Sequence, residues 1–143
     1  MDALTDVLKT VHLTGSLHFR SELSAPWGMA VPASDSAQFH VVRRGRCWLM
    51  RDGDNTHAPL LLEAGDLVLL PQGSAHALVD DPRTPPVALS ELVERYAPQD
   101  GAGPMVLGGG GDAVTLVCGY FQFAAGDVHP LLSMLPPLII LRG

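Results

Sequence analysis

From Gly15 onward, glycine and proline divide this chain into short segments. The 143 residues include 15 glycines and 12 prolines. Between these breaks, apolar residues either alternate with polar ones or form short continuous runs, as they do in β-strands. The predicted strands are Leu17–Leu23, Trp27–Val31, Ala37–Arg43, Arg46–Arg51, Leu60–Leu62, Asp66–Leu70, His76–Val79 and Val114–Phe123. Many short strands at this spacing predict a mainly β sandwich or barrel.

Three regions depart from this strand pattern. Apolar residues recur at helical spacing over Asp2–Val11, which predicts a short amphipathic helix. The segment Asp80–Asp112 contains five prolines and four consecutive glycines, so we expect a long, mobile loop with a strand over Ala88–Val93. Near the end, Leu131–Leu135 is typical of one helical turn, and the two prolines that follow would end it.

The last apolar run, Leu138–Leu141, lies two residues from the end of the sequence. Chain termini are usually polar and frayed, so such an ending predicts either a chain cut from a longer protein or a tail that packs against a partner. The length is that of one domain with its own core, and we expect a single domain over residues 1–143.

Composition excludes several classes of protein. The formal charge of −6 does not suit a nucleic-acid-binding surface, which needs clustered lysine and arginine. Two cysteines without CxxC spacing predict neither a disulfide framework nor a secreted protein. The N-terminus is acidic, and no apolar run approaches the ~20 residues that span a bilayer. The expected location is therefore the cytoplasm, without membrane contact.

The stretch from Gly65 to His76 carries the most specific pattern. Gly65 opens a turn, and the four apolar residues after Asp66 predict a strand buried on both faces. Pro71 ends that strand because it has no N–H to donate. Gly73 permits a tight reversal, after which His76 begins the next strand. The pattern predicts a strand–turn–strand corner that turns one histidine toward a barrel interior.

This corner resembles the second cupin motif, G-x5-P-x-G-x2-H-x3-N, at every position but the last, where Asp80 stands for asparagine. The first cupin motif is matched poorly. Its closing glycine resembles Gly45, its glutamate falls at Gln38, and Ser34, Asp35 and Ser36 occupy the region where paired histidines would stand. The usual metal set of three histidines and a glutamate is therefore not preserved.

Further segments resemble, in their order, the cupin domain at the N-terminus of a subgroup of AraC-family transcription regulators. They are Ser24–Trp27, Phe39–Val42, Cys47–Leu49, Gly65–His76, Cys118–Phe121 and His129–Leu132. The resemblance covers nearly the whole chain. It implies a cupin-like double-stranded β-helix, or jelly-roll barrel, that senses a small-molecule effector and forms a homodimer. DNA would be bound only by helix-turn-helix units, which these 143 residues do not contain.

Several side chains are candidates for a ligand pocket or a metal site. If Gln38 faces the interior, His40 does too, because side chains two apart share a face of a strand. His40, His76 and Cys118 would suit Zn²⁺ or another divalent metal with an open position, and His129 is a further candidate ligand. Equally, these residues can be core histidines bonded to backbone groups and a small buried thiol.

The sequence is compatible with three functions. The preferred hypothesis is a regulatory module that senses an effector and does not itself bind DNA. A stand-alone metal-dependent cupin enzyme, a dioxygenase or an isomerase, is the alternative, although the chain has no nucleophile elbow and no HExxH motif. The third is a dimerisation module with a filled barrel. We predict no catalytic residue.

Overall fold

The computed structural model describes residues 13–51, 58–98, 103–123 and 134–143. The predicted helix Asp2–Val11 lies outside these ranges, as do three of the five residues of the predicted turn Leu131–Leu135. Within them, strands dominate. In chain order, the elements are β1 Leu13–Ser24, β2 Gly28–Val31, β3 Gln38–Arg44, β4 Arg46–Arg51, β5 Leu60–Glu63, β6 Leu67–Leu70, β7 His76–Val79, β8 Val87–Ala88, helix α1 Leu89–Tyr96, β9 Met105–Gly108, β10 Ala113–Phe123 and β11 Ile139–Leu141.

The strands form two sheets. One has six strands in the order β11-β6-β3-β10-β1-β9, and the other has five in the order β5-β4-β7-β2-β8. Neighbours are antiparallel except for β1 with β9 and β2 with β8. Buried side chains from both sheets form one core cluster. The mainly β, double-sheet jelly-roll fold predicted from the sequence is confirmed. No helix among the described residues is long and apolar enough to cross a membrane.

Alternation along the strands decides which side chains enter the core. On β3, His40 and Val42 are buried, and the arginines that follow are exposed. On β7 all four residues are buried, because both faces of this strand are covered. Leu78 enters the core, whereas Ala77 and Val79 line a small outer cavity together with Pro82, Thr84 and Pro86.

The predicted strand Ala88–Val93 is wrong. Of its six residues only Ala88 is extended, as the second residue of β8, and helix α1 follows at once. Four apolar residues of α1, at positions 89, 92, 93 and 96, follow helical spacing, and Leu92 of these is buried. The segment 88–93 is too short for its period to separate strand from helix, and contact of α1 with β2, β8 and β9 favours the helix. Strand β9 also lies in the segment predicted as a loop.

The apolar run at the end of the sequence adds a strand to the chain's own sheet. Residues 139–141 form β11, which pairs with β6. After β11, the Arg142 Nη1 atom donates to Asp66 Oδ2 at 2.7 Å, and the Gly143 amide donates to Asp66 Oδ1 at 3.1 Å. Asp66, Arg142 and Gly143 are called the Asp66 cluster below. This cluster joins β11 to the turn that precedes β6.

Candidate functional site

The Gly65–His76 corner has the local structure that its sequence predicts. Gly65 and Gly73 have φ values of 97° and 67°, in the region that favours glycine. A Cβ atom on Gly73 would collide with the carbonyl oxygens of Ser34 and Ser36. Strand β6 ends before Pro71, and β7 begins at His76. The glycines and the proline therefore place His76 at the start of a buried strand.

The other two motif positions have structural roles. Gly45 forms the turn between β3 and β4 with φ of 79°. Asp80, which replaces the motif asparagine, accepts a hydrogen bond from the Trp27 amide at Oδ1, 3.1 Å away. The Asp80 amide in turn donates to the Trp27 carbonyl at 3.1 Å. Asp80 follows the last residue of β7, and Trp27 precedes the first residue of β2. Their two hydrogen bonds therefore hold the start of β2 against the end of β7, which is the end opposite His76.

The interior brings together the two central histidines of the prediction. His40 lies on β3 of the six-stranded sheet, and His76 lies on β7 of the five-stranded sheet. Their Nε2 atoms are 2.7 Å apart, and their rings meet edge to face at 66°. The exposed fractions of the two residues are 3% and 1%. His40 and His76, called the histidine pair, are therefore joined by a buried hydrogen bond that connects the two sheets.

Burial determines the ionisation of the histidine pair. It lowers the pKa of His40 well below 6.5, and the proximity of His76 lowers that pKa further. Burial also lowers the pKa of His76, although a hydrogen bond from its Nδ1 atom to the Ser74 carbonyl, at 2.8 Å, opposes that change. Both imidazoles are therefore neutral near pH 7.

The register of the six-stranded sheet places Cys118 beside His40, and Gln38 lies two residues before His40 on the same strand. Cys118 on β10 is the Cα partner of His40 and is buried. Burial, with a smaller contribution from Cys47, raises the pKa of the Cys118 thiol, so it is protonated. The Gln38 Nε2 atom donates to the Ser34 hydroxyl at 2.8 Å. His129, the remaining candidate, lies outside the described residues.

The arrangement of the histidine pair does not fit a zinc ion held between the two Nε2 atoms. Two imidazole nitrogens on one tetrahedral zinc stand about 3.3 Å apart, given Zn–N bonds of ~2.0–2.1 Å. Here the two nitrogens are 2.7 Å apart, at a hydrogen-bonding distance. In the described ranges, no group of three or more His, Cys, Asp or Glu residues is placed to hold a metal ion. A metal site that includes His129 stays a prediction.

Several surface cavities lie away from the histidine pair. One of about 1000 Å³ lies where β3 turns into β4, and its lining includes Arg44, Arg46, Trp48 and Asp80. A second, of about 570 Å³, lies beside β9 and Tyr96. His76 is the first residue of β7, whereas the lining of the first cavity includes Asp80, which follows the last residue of that strand. The first cavity and His76 therefore lie at opposite ends of β7. Neither cavity has His40 or His76 in its lining.

Sequence reasoning missed two hydrogen-bond partners of the candidate site residues. One is the Ser74 carbonyl, which any residue at that position would supply and which therefore leaves no mark in the sequence. The other is Ser34, which holds the amide of Gln38. The pattern Ser34-Asp35-Ser36 was a usable signal, because serine side chains commonly bond to backbone two residues away, as Ser34 does with Ser36.

Two curated relatives align with nearly the whole chain. An AraC-like transcription regulator of Streptomyces lividans is 33% identical over 139 residues, which cover 97% of this chain and 43% of the relative. Another AraC-like transcription regulator, from Streptomyces antibioticus, is 32% identical and is covered to 44%. The chain therefore spans less than half the length of these relatives.

Solved structures and family models identify the fold and the family. The unsaturated fatty-acid-bound ToxT of Vibrio cholerae superposes with a TM-score of 0.50 and 12% identity, over 90% of this chain and 41% of ToxT. At that identity the likeness concerns the fold alone. The cupin family model matches residues 2–143. From the jelly roll, the Gly65–His76 corner and this match, the chain belongs to the cupin family.

Proposed function

We propose that this chain is the regulatory cupin domain of an AraC-type transcription regulator, a non-enzymatic domain that senses a small-molecule effector. The observation that carries the proposal is similarity over 97% of the chain to AraC-like regulators more than twice its length. The alignment covers the barrel and leaves more than half of each relative for other functions. The cytoplasm is the corresponding setting.

The charge of the chain supports a division of labour between sensing and DNA binding. Its net charge is −6, whereas a surface that binds phosphates needs clustered cations. DNA contact would then belong to a helix-turn-helix region elsewhere in the regulator. A homodimer suits this role, because two-fold symmetric regulators bind paired half-sites.

The histidine pair is the candidate site for the effector. It is the point in the described core where polar side chains from the two sheets bond to each other. A ligand that bonds to one histidine would change the hydrogen bond between the sheets, and a regulator needs such a difference between its bound and free states. ToxT, which shares the fold, has been solved with an unsaturated fatty acid bound.

Thermal unfolding of the purified domain tests the sensing role. We expect at least one compound in a panel of divalent metals, apolar acids, alcohols and amines to raise the Tm in a concentration-dependent way. The domain alone should not retard duplex DNA in a gel at physiological salt. Unchanged melting across the whole panel would contradict a sensing role. Stoichiometric iron or manganese together with turnover of a substrate would instead favour the cupin enzyme.

One observation favours a second candidate, a dimerisation module with a filled barrel. The described cavities all lie outside the histidine pair, and the smallest, about 190 Å³, lies on the outer face of β7. Sedimentation separates the two candidates. A dimer that no compound stabilises favours the filled barrel, whereas a compound that raises the Tm of the wild type and not of a His40→Phe variant favours sensing.

A further inference from the structure

The hydrogen bonds of His76 determine which atoms of the histidine pair carry protons. The Ser74 carbonyl can only accept, so the Nδ1 atom of His76 is the donor in that bond. A neutral His76 then has a lone pair on Nε2. The Nε2 atom of His40, 2.7 Å away, must donate to it. A neutral His40 is therefore left with a lone pair on Nδ1.

This Nδ1 lone pair has no partner among the described residues, although the atom is fully buried. Buried polar atoms in native proteins are nearly always hydrogen-bonded, and an unpartnered one calls for an explanation such as a bound ligand. The pair itself is neutral, because both imidazoles are buried and no carboxylate forms an ion pair with them in the described part of the chain.

Gln38 presents a second lone-pair atom on the same strand. The Ser34 hydroxyl donates its proton to the Ser36 carbonyl, so it can only accept from Gln38. This bond determines the orientation of the Gln38 amide, with the NH₂ group toward Ser34. The Oε1 atom is left buried and without a partner in the described ranges. Residues 38 and 40 are two apart on β3, so their side chains share a face.

We propose that the barrel interior binds its effector through a hydroxyl group that the effector donates to His40 Nδ1 or Gln38 Oε1, and that it selects a neutral alcohol or phenol over a carboxylate. The inference rests on the proposed sensing function. Both unpartnered atoms are acceptors and offer no proton to an anion, which would also lose its hydration on entering a neutral interior. In the six-stranded sheet, Val68 and Cys118 are the Cα partners of His40, and Leu70 and Tyr120 are the Cα partners of Gln38, so the neighbours of these acceptors on the sheet are mainly apolar.

A divalent cation is a weaker match to the same two atoms. Metal ions in such sites are held by several ligands, commonly with carboxylate or thiolate charge. In the described ranges, no group of three or more His, Cys, Asp or Glu side chains is placed to hold a metal ion, and the carboxylate position of the cupin motif holds the amide of Gln38. A neutral hydroxyl needs neither charge nor a full ligand set.

A matched pair of probes tests the proposal by calorimetry at pH 7.5 on the 143-residue domain. The probes are octan-1-ol and octanoate, which share a tail and differ in the head group, with ZnCl₂ as a third titrant. We expect octan-1-ol to bind at least 10-fold more tightly than octanoate. In His40→Phe, and more weakly in Gln38→Leu, this ratio should fall toward 1. The His40 Nδ1 resonance in the ¹⁵N spectrum of the wild type should shift with octan-1-ol and not with octanoate.

Each other outcome overturns the proposal in a distinguishable way. Equal or tighter binding of octanoate would refute the selection of a donor while leaving effector sensing intact. Zinc binding that moves both histidine resonances would replace the hydroxyl site with a metal site. Binding of neither probe would also refute it, and the compound panel would then show independently whether the domain senses anything. If His40→Phe does not fold, the Gln38→Leu ratio and the wild-type spectrum decide.

Discussion

Two buried polar centres of this barrel, the Asp66 cluster and the histidine pair, differ in how completely their atoms are bonded. The Asp66 carboxylate, 5% exposed as a residue, accepts bonds from the Glu63 amide, Arg142 and the Gly143 amide. The histidine pair has one internal bond and one backbone bond, and His40 Nδ1 is left unpartnered among the described residues. A saturated centre is typical of a structural role, whereas an unsaturated one offers an atom to a ligand.

We expect the largest loss of folding stability when the Asp66 carboxylate is removed. Asp66→Ala leaves the Glu63 and Gly143 amides and Arg142 without their acceptor, so the free energy of unfolding should fall by about 2–4 kcal/mol. Urea denaturation followed by circular dichroism measures this change. Asp66→Asn is the matched control, since it keeps an acceptor oxygen, and it should cost less. A loss in Asp66→Ala no greater than in Arg142→Ala would show that the cluster is not an integrated unit.

The next effect comes from the histidine pair. His76→Phe leaves the Nε2 proton of His40 and the Ser74 carbonyl without a partner and should cost about 1–3 kcal/mol. The double variant His40→Phe and His76→Phe removes both polar rings, so it should cost less than the sum of the two single variants. The same urea experiment provides this double-mutant cycle. Strict additivity would mean that the two rings do not share a hydrogen bond in solution.

The two centres should respond to acid in different pH ranges. Both histidines have a pKa below 6.5 in the fold, so the unfolded chain binds more protons as the pH falls below 6.5. Folding stability should therefore decrease below this pH, by up to about 1.4 kcal/mol per pH unit for each histidine. Measurement of unfolding free energy from pH 7.5 to 5 tests this. The double histidine variant is the control and should show a flatter profile.

Asp66 should not contribute to the change in folding stability between pH 7.5 and 5. Burial alone would raise the pKa of its carboxyl, but the bonds from Glu63, Gly143 and Arg142 together hold it below 3.8. Its contribution to stability is thus present above the ordinary aspartate value and is lost only as the pH falls through the lower value in the fold. If Asp66→Asn flattened the profile between pH 7.5 and 5, this assignment would be wrong.

The smallest effect is expected from Arg142 alone. Its side chain is 55% exposed, so water screens the ion pair with Asp66. Arg142→Ala should lower the free energy of unfolding by about 0.5–1 kcal/mol, because Asp66 keeps its two backbone donors. Glu91→Gln, which breaks an exposed ion pair within α1, is the comparison and should cost no more than about 0.5 kcal/mol. If Arg142→Ala lowered the free energy of unfolding by more than Asp66→Ala does, the carboxylate would not be the centre of the Asp66 cluster.

Much of the fold could be predicted, because it depends on local pattern. Alternation located the strands, and Gly65, Pro71 and Gly73 located the corner that positions His76. Helix α1 was missed because the six residues Ala88–Val93 are too few to distinguish the helical period of 3.6 residues from the strand period of two. The distance between His40 and His76 could not be predicted, since it depends on how closely two sheets pack. Nor could the bond from Arg142 to Asp66, whose residues lie 76 apart in the sequence.

The position of β10 has a consequence for how the chain folds. This strand lies between β1 and β3, and its pairing brings Leu13 opposite Phe123 and Ser24 opposite Ala113. The five-stranded sheet uses only residues up to Ala88, whereas the six-stranded sheet needs residues up to Leu141. During synthesis, β1 and β3 must wait for β10 before they share a sheet. Such long-range pairing slows folding, and the exposed strand edges are open to association until β10 arrives.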